Sequence, residues 1–369
     1  MYKRQGLGVA PLLRVWPTEG AFARAVLGLD VLAMMQSDVA LMSIHGIAQK
    51  AKSRPLLQRA REKIESIAEA LGLTPDELGD RLVPDLGLDP DGSRILDLGP
   101  RAFRVGFDEH LVPFVKDAEG ARLKDLPKPA RADDPARAAE AAETWKGLKK
   151  SARAIAGQQV ARLEAAMVAR RRWEPAPFRT YLVEHVLVGQ LVRRLVFGAF
   201  VEDRVVGTFR VAEDLTYAGL EDETFTIPVG ATVGIVHPLE LEAEVVRAWA
   251  DRLGDYRIVQ PFAQLGREVA RDAKAADLVA LRPVDTLKLL GLERRGWRRG
   301  PVGDGGVIDG FEKEAGVLRA AITLEPGLFV GDPRIHPTQT LGGVTFGHAP
   351  DRIFIAEVVA DLRAIGALG

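Results

Sequence analysis

Apolar residues recur along residues 18–72 at the spacing of 3 and 4 that lets a helix bury one face. The pattern predicts three consecutive helices. Thr18 can cap the first, which runs to about Met35. Ser37 can cap the second, with Val39, Leu41, Met42, Ile44 and Ile47 as its apolar positions. Ser53 caps the third and Pro55 sits in its first turn. Leu57, Ala60, Ile64, Ile67, Ala68 and Leu71 form its buried stripe, and Gly72 is placed to end it. Short links between antiparallel helices of this size predict a HEAT-like segment over 6–84, the end of a helical array whose faces need neighbours.

The pattern then changes period. Thr74-Pro75-Asp76-Glu77 opens a short helix that Pro84 ends. Asp89–Gly92 reads as a turn, Phe103, Val105 and Phe107 alternate, and a strand follows at 111–116, so 85–132 is predicted to be a small β-meander with a polar linker. Asp133 or Asp134 caps the longest element, which runs to about Arg172. Its stripe is Ala138, Ala142, Trp145, Leu148, Ala152, Ile155, Gln159, Leu163 and Ala166. With partner helices at 177–197 it makes a region over 133–197. Residues 198–369 read as a mixed domain, with strands at 199–202, 204–212, 224–227, 231–236, 306–312, 317–324 and 341–346. Its helices are expected at 239–253, near 283–290 and at 353–365. The predicted class is α+β: a HEAT-like helical segment, a long central helix and a mixed α+β C-terminal domain.

Composition narrows the chemistry. The net charge is −1, so no global field favours nucleic acid or an anionic membrane. No apolar run approaches the ~20 residues that span a bilayer. Cysteine is absent, which removes disulfides, thiolate zinc sites and cysteine nucleophiles. Every serine lies at or before Ser151, so no serine nucleophile can sit in 152–369. The scarcity of Lys and Asn beside abundant Ala, Gly, Arg and Asp predicts a GC-rich bacterial gene and a cytoplasmic setting. Residues 1–5, Met1-Tyr2-Lys3-Arg4-Gln5, resemble the translation of a sequencing-library adaptor. That reading makes the chain the tail of a longer protein.

The best candidate for chemistry is Leu292–Gly300. Arg294, Arg295, Arg298 and Arg299 bracket Trp297, and guanidinium groups with an interleaved indole can grip phosphates and stack on a base. The competing reading is a solvated turn whose arginine stems cover the indole, or arginines paired with the acidic stretches at 202–223 or 240–255. Lys146, Lys149, Lys150, Arg153, Arg162 and Arg170–Arg172 give the long helix a basic end, which suits the helix dipole as well as a phosphate rail. None of the histidines (His45, His110, His185, His237, His336, His348) forms an H-x-x-x-H or H-E-x-x-H pattern, so neither a metal nor a cofactor is predicted. His237, at a strand end, reads as a buried hydrogen-bonding residue. Gly303–Gly306 lacks the G-K-[ST] of a phosphate loop and reads as a turn. Gln260–Leu265 reads as a packed loop.

Several long strings carry a resemblance. They are Leu73-Thr74-Pro75-Asp76-Glu77-Leu78-Gly79-Asp80-Arg81-Leu82-Val83-Pro84, Arg101–Glu109 (RAFRVGFDE), Leu123–Pro129 (LKDLPKP), Val233–Leu239 (VGIVHPL) and Gly291–Gly300 (GLERRGWRRG). Together they resemble the bacterial family called domain of unknown function 4132, often found behind a WGR domain and in some members named molybdate-metabolism regulator (MolR). The resemblance brings no catalytic residues. Its members often occur near MoxR-type AAA ATPases and von Willebrand A proteins, which implies a multi-protein bacterial system. The expected function is a non-enzymatic scaffold or adaptor with protein partners of that kind. One alternative is a nucleic-acid or phosphate-binding protein using Arg294–Arg299. A second is a hydrolase or transferase built on Asp, Glu and His, which would need those groups to converge in a deep cleft.

Overall fold

In the computed structural model, residues 12–13, 15–35, 38–50 and 53–369 are described. The adaptor-like residues 1–5 and the proposed cap Ser37 lie outside them, as do the side chains of Thr18 and Val39. The chain divides into two compact units, 1–89 and 90–369.

The first unit is helical. After a 3₁₀ turn at Trp16–Glu19 come α1 (Phe22–Met35), α2 (Asp38–Lys50), α3 (Arg54–Ala70) and α4 (Pro75–Arg81). Ala25, Leu29 and Leu32 of α1 meet Ile44 and Ile47 of α2 and Leu56, Ala60 and Ile64 of α3 in one apolar cluster. Removing that surface from water is the main force holding the helices. Three expectations for α3 need correction. Leu56 is the fully buried residue of its first turn, where Leu57 is expected. Ser53 precedes the helix but makes no side-chain cap. Leu71 is 57% exposed, because the helix ends one residue before it. Gly72 does end the helix. Its φ of +66° is one that a side chain would strain, and it places Leu73 N–H on the Ala68 carbonyl at 2.9 Å. Thr74 and Glu77 form the reciprocal cap of α4: Thr74 Oγ1 accepts from Glu77 N–H at 3.2 Å and Glu77 accepts from Thr74 N–H at 2.8 Å.

The second unit is α+β. Strands β1 (Arg94–Asp97), β2 (Ala102–Phe107), β3 (Pro113–Lys116) and β4 (Arg122–Leu123) pair in chain order as an antiparallel meander. Helix α5 (Pro135–Val168) follows, capped by Asp134, which accepts from Ala136 and Arg137 N–H at 2.9 Å. Its buried stripe uses Ala141 where Ala142 was expected, and the helix stops four residues short of Arg172. Residues expected to be helical at 177–197 break instead into α6 (Pro175–Phe178), a π turn at Arg179–Val183 and α7 (Val188–Val192). Strand β5 (Val196–Val201) then begins earlier than predicted.

β5 pairs with β6 (Arg204–Val211) and β8 (Thr232–Ile235), and β7 (Tyr217–Ala218) completes the order β7-β6-β5-β8. No strand forms at 224–227; Thr224 makes a single bridge to Ala218. Trp249 of α8 (Ala243–Asp255) is fully buried against this sheet and donates to Thr208 Oγ1 at 2.8 Å.

The last sheet runs β10-β11-β12-β13-β9, from β9 (Val284–Asp285), β10 (Trp297–Arg299), β11 (Val307–Ala315), β12 (Leu318–Phe329) and β13 (Thr338–Leu341). β14 (Thr345–Phe346) pairs with β12. Between β9 and β10 lies the short helix α9 (Thr286–Leu290), and α10 (Arg352–Ala364) closes the chain. Gln264, 0% exposed, joins β5 to the end of β8: its amide donates to the Val196 carbonyl at 2.7 Å and the Val236 carbonyl at 2.9 Å and accepts from Val196 N–H at 3.0 Å. The loop at 260–265 is packed because this one side chain satisfies otherwise orphaned backbone.

Candidate functional site

Titratable side chains converge in the second unit where α10 crosses the ends of α5, β8 and β11. Glu357 and Asp361 are four residues apart, so both carboxylates lie on one face of α10. They are 4% and 5% exposed. Arg267 grips Glu357 through two hydrogen bonds of 2.6 Å and reaches Glu164 of α5 at 2.7 Å. His237 is fully buried. Its Nδ1 accepts from Leu239 N–H at 3.1 Å, which leaves the proton on Nε2 to be donated to Glu357 at 3.2 Å. Lys313 of β11 binds Asp361 at 2.5 Å and lies 3.9 Å from Glu357.

Burial alone pushes the Glu357 carboxyl up. The hydrogen bonds from His237 and Arg267, with the charges of Arg267 and Lys313, outweigh it and hold the group well below the ordinary carboxylate range. Burial likewise opposes the charge on Arg267, but bonds and charges from Glu357 and Glu164 raise it further above its usual value.

The predicted Arg294–Arg299 segment feeds this same network, and its tryptophan must be reassigned. Trp297 is 1% exposed and donates its indole N–H to Asp361 at 2.8 Å. In β10 it lies opposite Lys313, on the inner face of the sheet. It therefore offers no ring for a base to stack on. Arg295 pairs with Asp361 at 3.4 Å and Arg299 with Glu293 at 2.5 Å, not with the acidic stretches at 202–223 or 240–255. Arg294 and Arg298 are exposed, and Arg298 faces Glu312 across the strands. The structure thus divides the motif: Trp297 and Arg295 point to Asp361, while Arg294 and Arg298 stay outside.

The basic end of α5 also turns inward. Arg170 and Arg172 both bind Glu240, and Arg171 lies over the Trp173 ring at 4.8 Å. Glu240 in turn accepts from His237 N–H at 3.0 Å.

The buried centre of this arrangement is satisfied. Glu357 and Asp361 meet Arg267 and Lys313 and accept from His237 and Trp297, while Glu164 and Arg295 at the rim stay partly exposed. Two cavities in this unit lie elsewhere. An open concavity of about 380 Å³ is lined by Asp309, Thr323, Glu325 and Thr340. A smaller one of about 200 Å³ is lined by Arg104, Phe114, Lys116 and Gln190 among others. Among the described residues no group of three or more His, Asp or Glu side chains is placed to hold a metal ion. No helix among them is long and apolar enough to cross a membrane.

The partners of the network were missed in the sequence, though a signal was there. Glu357 and Asp361 interrupt the segment Ile353 to Ile365, which is otherwise apolar apart from Arg363 in its last turn, and Lys313 sits between Phe311 and Ala315 on the inner face of β11. A charge at a core position requires a partner.

The family model described as Domain of unknown function (DUF4132) matches residues 120–297. The chain is also similar to the Uncharacterized protein YehI of Escherichia coli (strain K12), 37% identical over 321 residues that make up 85% of this chain. The chain spans 26% of the length of that curated relative. No solved structure matches it.

Proposed function

We propose that this chain is a non-enzymatic scaffold or adaptor that works within a multi-protein bacterial assembly. One observation carries the reading. Helix α1 buries Ala25, Leu29 and Leu32 on one side and leaves Leu27, Val31 and Met34 64%, 45% and 78% exposed on another. Those three sit at i, i+4 and i+7, the spacing with which a helix packs a second helix. A continuous apolar stripe on a surface helix marks an interaction face more often than scattered leucines do. In this reading the first unit is the end of a HEAT-type array and the stripe receives an apolar-faced helix. The buried part of the charge network supports a non-catalytic role, since Glu357, Asp361 and His237 are already engaged by protein partners.

The resemblance stated above suggests the partners: a MoxR-type AAA ATPase or a von Willebrand A protein encoded beside this gene. The test is interferometry between the purified chain and each of those two proteins. Saturable binding to one, weakened at least about tenfold when Val31→Glu and Met34→Glu are combined, is the expected result. Binding to neither, or binding indifferent to both substitutions, overturns the reading.

A further inference from the structure

The smaller cavity has a composition that the charge network does not share. Its base is the meander. In the β2–β3 register Arg104 lies opposite Lys116 and Gly106 opposite Phe114, so these four residues occupy one face of the sheet. Gly106 makes the space. A Cβ there would come within 2.9 Å of the Phe114 ring, so only glycine lets the ring lie across the strand. Val186 and Gln190 close the other side.

The polar groups of this cavity divide into used and unused. Asp91 accepts from Ser93 N–H at 2.9 Å and from Ser93 Oγ–H at 2.7 Å with one oxygen, and from Arg104 at 3.0 Å with the other. The Arg104 charge is thereby neutralised. Lys116 has no carboxylate within ion-pair distance among the described residues; its ammonium rests 5.4 Å from the centre of the Phe114 ring. The half-buried Gln190 side chain likewise makes no hydrogen bond among them. The cavity thus keeps one uncompensated positive charge, one free amide and an apolar lining from Phe114 and Val186.

We infer that this cavity binds a small carboxylic acid with an apolar body, its carboxylate on Lys116 Nζ and the Gln190 amide and its carbon part against Phe114 and Val186. A single free cation matches a monoanion. A phosphate dianion would instead meet the Asp91 carboxylate at the rim. The volume of about 200 Å³ lies below the range of about 300–1,000 Å³ that holds drug-sized ligands, so the guest is an acid of a few carbons or the end of a polypeptide. The inference is independent of the adaptor reading.

Isothermal titration of the whole chain with isovalerate tests it, beside isovaleramide, methyl phosphate, and a pentapeptide ending in leucine with either a free or an amidated terminus. Saturable binding of isovalerate, weakened at least about tenfold in Lys116→Met and less in Gln190→Leu, is expected, with isovaleramide and methyl phosphate much weaker. Val186→Trp, which fills the cavity from its far wall, also abolishes binding while the far-ultraviolet spectrum is unchanged. Isovalerate without the peptide identifies a free acid as the guest. The free-terminus peptide binding more tightly than isovalerate identifies a chain end. No binding of either carboxylate, equal binding of isovaleramide, or indifference to Lys116→Met overturns the inference.

Discussion

The two units of this molecule are held together by different physics. Helices α1–α3 meet through leucine, isoleucine and alanine, and their charges lie outside that cluster in pairs such as the exposed Arg59–Glu62 and the half-buried Lys63–Asp30. In the second unit α10 carries two carboxylates inward, and elements from Glu164 to Asp361 are tied through them. An apolar contact is non-directional and tolerates small changes of geometry. A buried ion network stabilises the fold only when every member is present, because each charge left alone keeps its full desolvation cost. Contacts in the helical unit therefore tolerate small shifts, whereas the network fixes one arrangement of the elements that meet at α10.

Removing one member of the network gives the largest expected effect. Glu357→Ala leaves Arg267 and Lys313 without their shared partner and is expected to cost about 3–5 kcal/mol, measured by urea denaturation followed through amide signals of the second unit. The pH dependence has a definite sign. Because the folded carboxyl is held below its ordinary value of 4.5, its contribution is present above that pH and is lost as the pH falls toward the folded value. The stability gap between the native chain and Glu357→Gln should accordingly narrow below pH 4.5. A gap that stays constant with pH, or a loss under about 1 kcal/mol, would mean that the helical and C-terminal units rest on the same forces after all.

The next effect is smaller and confined to the other unit. Leu32→Ala removes a fully buried side chain from the α1–α3 cluster and is expected to cost about 2–5 kcal/mol, depending on how far the site relaxes. Hydrogen exchange should quicken across α1–α3 and stay unchanged in β5 and β8. Faster exchange in both places would erase the distinction between the units.

These two substitutions also mark what could be read from the chain. The α1–α3 cluster was legible because its signal is periodic: Ala60, Ile64 and Ala68 fall where a helix needs them. Gly72 and the Thr74–Glu77 cap were legible for the same local reason. The network was not, because its members are separated by up to 197 positions, from Glu164 to Asp361, and ion pairing carries no periodicity. Trp297 shows the cost of reading locally. Flanked by arginines it looks like a stacking platform, yet strand alternation sends it inward to Asp361. The free ammonium of Lys116 was equally hidden, since only the sheet register reveals that Asp91 is already engaged by Arg104 and Ser93.

The smallest expected effect is the one that most sharpens the comparison. Val31→Glu on α1 places a charge on a surface that a monomeric helix would leave in water. If the stripe of Leu27, Val31 and Met34 serves no purpose within this chain, the substitution should change the urea midpoint by no more than about 0.5 kcal/mol, since a helix loses little by exchanging an exposed valine for a better helix former. The same change on the opposite side of the helix, Leu29→Glu, would bury an unpaired charge and unfold the unit. A neutral outcome at position 31 separates the two faces: one holds the unit together and the other is kept apolar for something outside it. A loss at Val31 comparable to that at Leu32 would show instead that the stripe belongs to the unit's own core, and the adaptor reading would then lose the observation it stands on.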